Sequence, residues 1–167
     1  MTAQDNIDLV RQFIDDVWNN QNAENARQYL ADDYVEHNPM GDFEGIDEFG
    51  TFWEMTLEAF PDNQIDIQET TGDGQMVAFH YMIQGTHKGN LGPLEPTNQK
   101  VKLDACFICR IKDGKIEESW YVFDQLSLNV QLGVIELPDY IQEMQEQMRT
   151  AGEQTEGEGP TSDRPRA

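Results

Sequence analysis

Between Gln4 and Asn19, apolar residues recur at Ile7, Val10, Phe13, Ile14, Val17 and Trp18, with acids on the other side. That spacing belongs to one face of a helix, so residues 4–19 are predicted to form an amphipathic helix that needs a surface to cover. A second helix is expected over "NAENARQYLA", residues 22–31, with Ala23, Ala26, Tyr29 and Leu30 as its apolar side. A third is expected from Gly45 to Ala59, carrying Phe49, Phe52, Trp53, Met55 and Leu57, and "FPDN" stops it. The intervening "DDYVEHNPMGDFEG" reads as turns, on its Asn-Pro, Met-Gly and Glu-Gly steps.

After Pro61 the period falls towards two. It does so in "QIDIQET", in "MVAFHYMIQGTHKG" and in "KVKLDACFICRIKDGKIEESWYVFD", where Asp113-Gly114 signals a hairpin. Helices first and a meandering sheet second predict an α+β fold: three N-terminal helices packed on a strongly curved antiparallel or mixed β-sheet, forming a cone. The loop "GNLGPLEPTNQ" is long enough to lie over the cone's mouth, and a short helix followed by another from Pro138 is expected beyond Asp124. From Thr150 onward there is no Ile, Leu, Val or aromatic residue. Residues 1–149 are therefore expected to form a single domain and 150–167 a disordered acidic tail.

Charge narrows the partners. Thirty-two acidic against eleven basic side chains give a formal charge of -21, and residues 1–86 hold only Arg11 and Arg27 as Lys or Arg. Such a surface repels phosphate backbones and anionic membranes, and it suits a halophilic protein kept soluble in concentrated salt. No run of about 18 apolar residues and no basic-then-apolar leader is present, so the expected location is cytoplasmic.

Candidate chemistry is sparse. Cys106 and Cys109 lie in a strand-like run, where a separation of three sends side chains to opposite faces, so two buried or half-buried structural thiols are expected rather than a metal or redox pair. Alternation in the last strand puts Ile116, Glu118, Trp120, Val122 and Asp124 on one side. Asp124 follows "WYVF"; it is either a carboxylate desolvated into the general acid/base range or a cap for the next segment. His37, His80 and His87 have no ligand-like spacing, and no metal is expected. His80 reads equally as a core-edge histidine, His87 as part of a turn, and Trp53 as a core aromatic.

"YVEHNP", "FPD", "GTHKG", "PTNQKV", "GKIEESWYVFD" and "QLG" follow one another in an order and spacing that resembles the SnoaL-like polyketide cyclases, or ester cyclases, of the NTF2-like superfamily, over about residues 5 to 134. The resemblance implies ring closure by intramolecular aldol condensation of an aromatic polyketide ester, without metal or cofactor. It places the main acid/base group at Asp124 and the pocket asparagine at Asn38. The strand position where the family carries a histidine falls near Cys109 and Arg110, which leaves His37 and His87 to line the pocket. Trp53, His80, Glu118 and Trp120 are the other expected pocket residues.

The function expected is thus cofactor-free acid/base catalysis, an aldol cyclisation or related isomerase or hydrolase reaction, on a small apolar or aromatic carbonyl compound. The alternative is a non-catalytic module of the same fold that binds a small ligand or a protein. By analogy with the superfamily, a homodimer through the open face of the sheet is expected.

Overall fold

The computed structural model describes residues 2–156, with side chains through Thr150. Helix α1, Ala3–Phe13, starts in a capping box: Thr2 Oγ1 accepts from Asp5 N at 3.1 Å, and the Asp5 carboxylate accepts from Thr2 N at 2.7 Å. It continues as a π-helical turn, Ile14–Asn19, so the predicted segment 4–19 is helical throughout. The second predicted helix is shorter, a 3-10 turn Ala23–Asn25 running into α2, Ala26–Tyr29.

The chain then departs from expectation. Where turns were predicted it forms strand β1, Leu30–Asn38, and strand β2, Gly41–Glu44, paired as a hairpin with Asn38 opposite Gly41. Helix α3, Gly45–Ala59, follows, and then strands β3, Gln64–Gly72; β4, Met76–Thr86; β5, Lys100–Lys112; and β6, Lys115–Phe123. Helices α4, Gln125–Gln131, and α5, Asp139–Glu156, complete the described chain. Asp113 and Gly114 both have positive φ, 50° and 79°, which is why an Asp-Gly pair closes the β5–β6 hairpin.

The six strands form one mixed, unclosed sheet in the order β2-β1-β6-β5-β4-β3. Only β1 and β6 run parallel, with Glu36 beside Ser119 and His37 beside Trp120. The larger of two core clusters, between the helices and the concave face, includes Val10, Phe13, Phe49, Phe79 and Phe107; the smaller gathers Ala59, Phe60, Val101 and Leu132.

Strand β6 is bulged. Arg110 pairs with Glu118 but Ile111 pairs with Ile116, which leaves Glu117 as an extra residue. The bulge resets the alternation: Ile116, Ser119, Tyr121 and Phe123 face inward, and Glu118, Trp120 and Val122 face out. The single face expected to hold Ile116 together with Glu118 and Trp120 is thereby split.

The described chain divides into a compact unit ending at Val134 and a second beginning at Ile135. The boundary expected at 149/150 falls inside α5, which stays helical through Glu156 where disorder was expected; the rest of that expected tail, 157–167, lies outside the described residues. Among the described residues no helix is long and apolar enough to cross a membrane.

Candidate active site

A cavity of about 170 Å³ opens within the first unit, between the helices and the concave face of the sheet. Phe13, Trp18 and Phe52 wall it from the helices, and Tyr81, Phe107 and Tyr121 from the strands. Leu128 of α4 and Leu91 of the β4–β5 loop lie at its margin. Gly89 lets that loop pass the end of α3: a Cβ there would stand 1.9 Å from the Glu58 carbonyl oxygen. The Lys88 and Gly89 N–H groups donate to the Ala59 carbonyl at 2.9 and 3.3 Å.

Among the described residues that line this cavity Glu36 is the one that is charged, and it is 4% exposed. Alternation along β1 turns Tyr34, Glu36 and Asn38 inward together, all three buried. The Tyr34 hydroxyl donates to Glu36 Oε2 at 2.9 Å, and Asn38 Nδ2 donates to Oε1 at 3.0 Å. Ser119 Oγ lies 2.6 Å from the Tyr34 hydroxyl, and since the single Tyr34 proton goes to Glu36, Ser119 is the donor in that contact. Asn38 Oδ1 is fixed in turn by the Met40 N–H at 3.0 Å.

Burial raises the Glu36 pKa above the ordinary carboxyl value, partly offset by the hydrogen bonds from Asn38 and Tyr34. Tyr81 and Tyr121, stacked at 6.4 Å between ring centroids, are shifted upward mainly by burial. Negative charge on Glu36 adds to both shifts, so the three groups act on one another electrostatically. The site therefore holds a carboxyl group tuned upward and two phenols that keep their protons.

The residues singled out from sequence are dispersed. Asp124 is exposed and caps α4, its Oδ1 accepting from Ser127 N at 2.8 Å. It does not line the cavity, because the chain leaves the sheet at Phe123 and the carboxylate turns back to its own helix. Asn38 is at the site, one bond behind Glu36.

His37 points the other way, to the outer face of the sheet, where it stacks on Trp120 at 5.4 Å. Its Nε2 and Nδ1 lie 3.1 Å from Glu118 and 3.2 Å from Asp42, and those acids raise its pKa, the Glu118 hydrogen bond most. Glu118 also meets Arg110 at 3.4 Å, and Arg110 stands over Trp120 at 5.8 Å. His80 pairs with Asp104 at 2.7 Å on the same outer face. Trp53 donates Nε1–H to the Val17 carbonyl at 3.0 Å and packs against the core. None of His37, His80, Trp53, Glu118 and Trp120 lines the cavity.

His87 is fully buried beside Phe60, a cavity-wall residue, at 5.3 Å between rings. Its Nδ1 accepts from Thr97 N at 3.1 Å, so the proton sits on Nε2, which is buried without a hydrogen-bond partner. Burial pushes its pKa down. Cys109 is buried as expected, its thiol pushed up to about 12, but Cys106 is exposed rather than buried or half-buried, because alternation along β5 turns it to the outer face. No group of three or more His, Cys, Asp or Glu among the described residues is arranged to hold a metal ion.

Sequence reasoning missed Glu36, Tyr81 and Tyr121. The signal for Glu36 was present in "YVEHN", where Tyr34, Glu36 and Asn38 alternate with Val35 and His37 as in a strand.

The solved structures that share this fold include a candidate SnoaL-like polyketide cyclase from Jannaschia sp., 20% identical over 80% of this chain and 95% of its own, with a TM-score of 0.74. A candidate hydroxylase from Streptomyces galilaeus, AclR, is 24% identical over 90% of this chain and 96% of its own, with a TM-score of 0.71. A candidate polyketide cyclase from Bacillus cereus is 25% identical over 77% of this chain and 80% of its own, with a TM-score of 0.65. No curated protein matches the chain significantly. The profile of the family described as SnoaL-like polyketide cyclase matches residues 8–132, a span that holds the whole sheet and the cavity, and the chain belongs to that family.

Proposed function

We propose that the protein catalyses ring closure of a small, uncharged, aromatic carbonyl compound by acid/base chemistry at Glu36. One observation carries the proposal: a single buried carboxyl group, held by Tyr34 and Asn38, faces a cavity otherwise lined by apolar, aromatic and neutral polar groups. Among the described residues no lysine or arginine lines that cavity, so an anionic ligand would meet Glu36 uncompensated.

The steps balance without a co-reactant. Glu36 as carboxylate takes a proton from the carbon beside a carbonyl, and the Tyr81 or Tyr121 hydroxyl donates a hydrogen bond to the developing enolate oxygen. The enolate carbon bonds to a second carbonyl carbon of the same molecule, held close by the walls. The new alkoxide takes the proton back from Glu36, giving a ring hydroxyl and restoring the carboxylate. A carboxyl group with a raised pKa suits both transfers near neutral pH. Asn38 positions Glu36, and Asp124, as the cap of α4, positions Gln125, Leu128 and Asn129 at the cavity.

The test is hydrogen–deuterium exchange at the α-carbon of phenylacetone in D₂O, followed by NMR. Exchange catalysed by the protein, lost in Glu36→Gln and kept in Asp124→Asn, is expected. Exchange that survives in Glu36→Gln overturns the assignment. Binding of phenylacetone without exchange would favour a ligand carrier of the same fold.

A second copy of the chain is the partner proposed for the outer face of the sheet. Ile108 and Val122, 42% and 61% exposed, stand there beside Trp120.

A further inference from the structure

Asn63 is 3% exposed, lines the cavity, and sits at the entry to β3. Its backbone is satisfied: the N–H donates to the Phe60 carbonyl at 3.0 Å, and its carbonyl accepts from Gln64 Nε2 at 2.9 Å. Its side-chain amide makes no hydrogen bond to any described residue. Among the described residues the sealed side-chain atoms without a partner are Asn6 Oδ1 and His87 Nε2, so the Asn63 amide is not sealed off but reaches the open space that its residue lines. Asn19, by contrast, uses both ends of its amide on the backbone of Ile65, at 3.0 and 2.8 Å. The unpaired Asn63 amide belongs to a residue of the cavity wall, so the partner it lacks is one the cavity would receive.

Its position relative to Glu36 is set by topology. Glu36 lies on β1 and Asn63 at the start of β3, four strand steps apart in the sheet order. At about 4.8 Å per step, that separates them by roughly 19 Å along the curved sheet, with the chord across the cone shorter. The wall between is apolar or aromatic, with Tyr121, Phe107, Leu103 and Ile83 facing the space. Beside Asn63 the wall is kept thin by Gly85, whose Cβ would come within 3.3 Å of Phe60 and 3.5 Å of the Asn63 Cα.

We propose that Asn63 is a second ligand anchor, which holds a hydroxyl or carbonyl oxygen at the end of the ligand remote from Glu36. The ligand class is then an uncharged, flat, at least bicyclic aromatic compound with oxygen substituents at both ends. This rests on the reading of Glu36 as the acid/base group, and it adds the residue that fixes ligand register and length.

The experiment compares 2-acetylnaphthalene with 6-hydroxy-2-acetylnaphthalene by quenching of tryptophan fluorescence, with Trp18 in the cavity wall as reporter. The wild-type protein should bind the hydroxylated compound about tenfold more tightly, the worth of one hydrogen bond. Asn63→Leu, of the same branched shape without the polar atoms, should abolish that preference and bind 2-acetylnaphthalene at least as well. An unchanged preference in Asn63→Leu overturns the proposal. Glu36→Gln should keep the hydroxyl preference while losing α-carbon exchange, so failure of the anchor and failure of the acid/base assignment read out separately.

Discussion

Asn38 Nδ2 donates to Glu36 Oε1 at 3.0 Å, and this bond ties the asparagine expected from sequence to the carboxyl group that sequence did not reveal. With Tyr34 on Oε2, it favours the ionised form against the desolvation that raises the Glu36 pKa. Asn38→Leu removes a donor and leaves the desolvation, so the acidic limb of the pH–rate profile for α-carbon exchange should move to higher pH. On that limb the rate should fall by about tenfold or more, the worth of one hydrogen bond to a charged group. An unshifted limb would mean that Asn38 does not act through Glu36.

Glu36 should also oppose stability where it serves chemistry. Its folded-state pKa is raised by burial above the ordinary carboxyl value, so the folded protein binds this proton more tightly than the unfolded chain does. Stability linked to it is complete below the unfolded pKa and is lost as pH rises through the folded one. Glu36→Gln should therefore melt higher than wild type at pH 8, with the difference vanishing near pH 4. Catalysis in the same variant should fall by about 10²- to 10⁴-fold. Calorimetry across that pH range checks the first expectation, and a gain that persists at pH 4 would contradict it.

Asp124 distinguishes a cap from a base. Its carboxylate accepts from Ser127 N, and α4 is also held by Gln131, whose amide brackets Lys102 through N–H to Oε1 at 2.8 Å and Nε2–H to O at 3.0 Å. Asparagine caps a helix as well as aspartate does, whereas alanine costs about 1 kcal/mol. Asp124→Asn should keep stability and α-carbon exchange. Asp124→Ala should lose about 1 kcal/mol of stability, protect α4 amides less from hydrogen exchange, and weaken ligand binding two- to fivefold, roughly in proportion to that loss of order. Equal loss of activity in both variants would restore Asp124 as the acid/base group.

What was legible in the sequence follows from what the core demands. Val10, Phe13 and Val17 in the first helix, and Val77, Phe79 and Tyr81 in β4, all have an apolar or aromatic reason to recur, and their elements were readable. Strand β1 was not, because its inward positions beyond Leu30 are Tyr34, Glu36 and Asn38: the site replaced the apolar residues that would have marked the strand. In β6 a one-residue bulge carried Glu118 and Trp120 to the outside, and a strict period of two cannot express that. Asp124 looked desolvated because it follows apolar neighbours, but its environment is set by α4.

The outer face of the sheet gives a prediction that depends on salt. Ile108 lies opposite Trp120 in the β5–β6 ladder and Cys106 opposite Val122, so an apolar centre is framed by the His37, Glu118 and Arg110 cluster and by the His80–Asp104 pair. If two copies meet here, each brings a formal charge of -21, and their repulsion acts across the whole surface. Salt shortens the reach of that repulsion, from about 10 Å at 0.1 M to about 3 Å at 1 M, while leaving apolar burial intact. Dimerisation should therefore strengthen with salt, by about tenfold or more between 0.1 and 1 M KCl, opposite to an interface held by exposed ion pairs. Sedimentation equilibrium measures this directly. Ile108→Lys should leave a folded monomer at both salt concentrations, because it puts an unpaired charge at the centre of the buried patch. A wild-type protein that stays monomeric at 1 M salt, or a dimer indifferent to Ile108→Lys, would place the partner surface elsewhere.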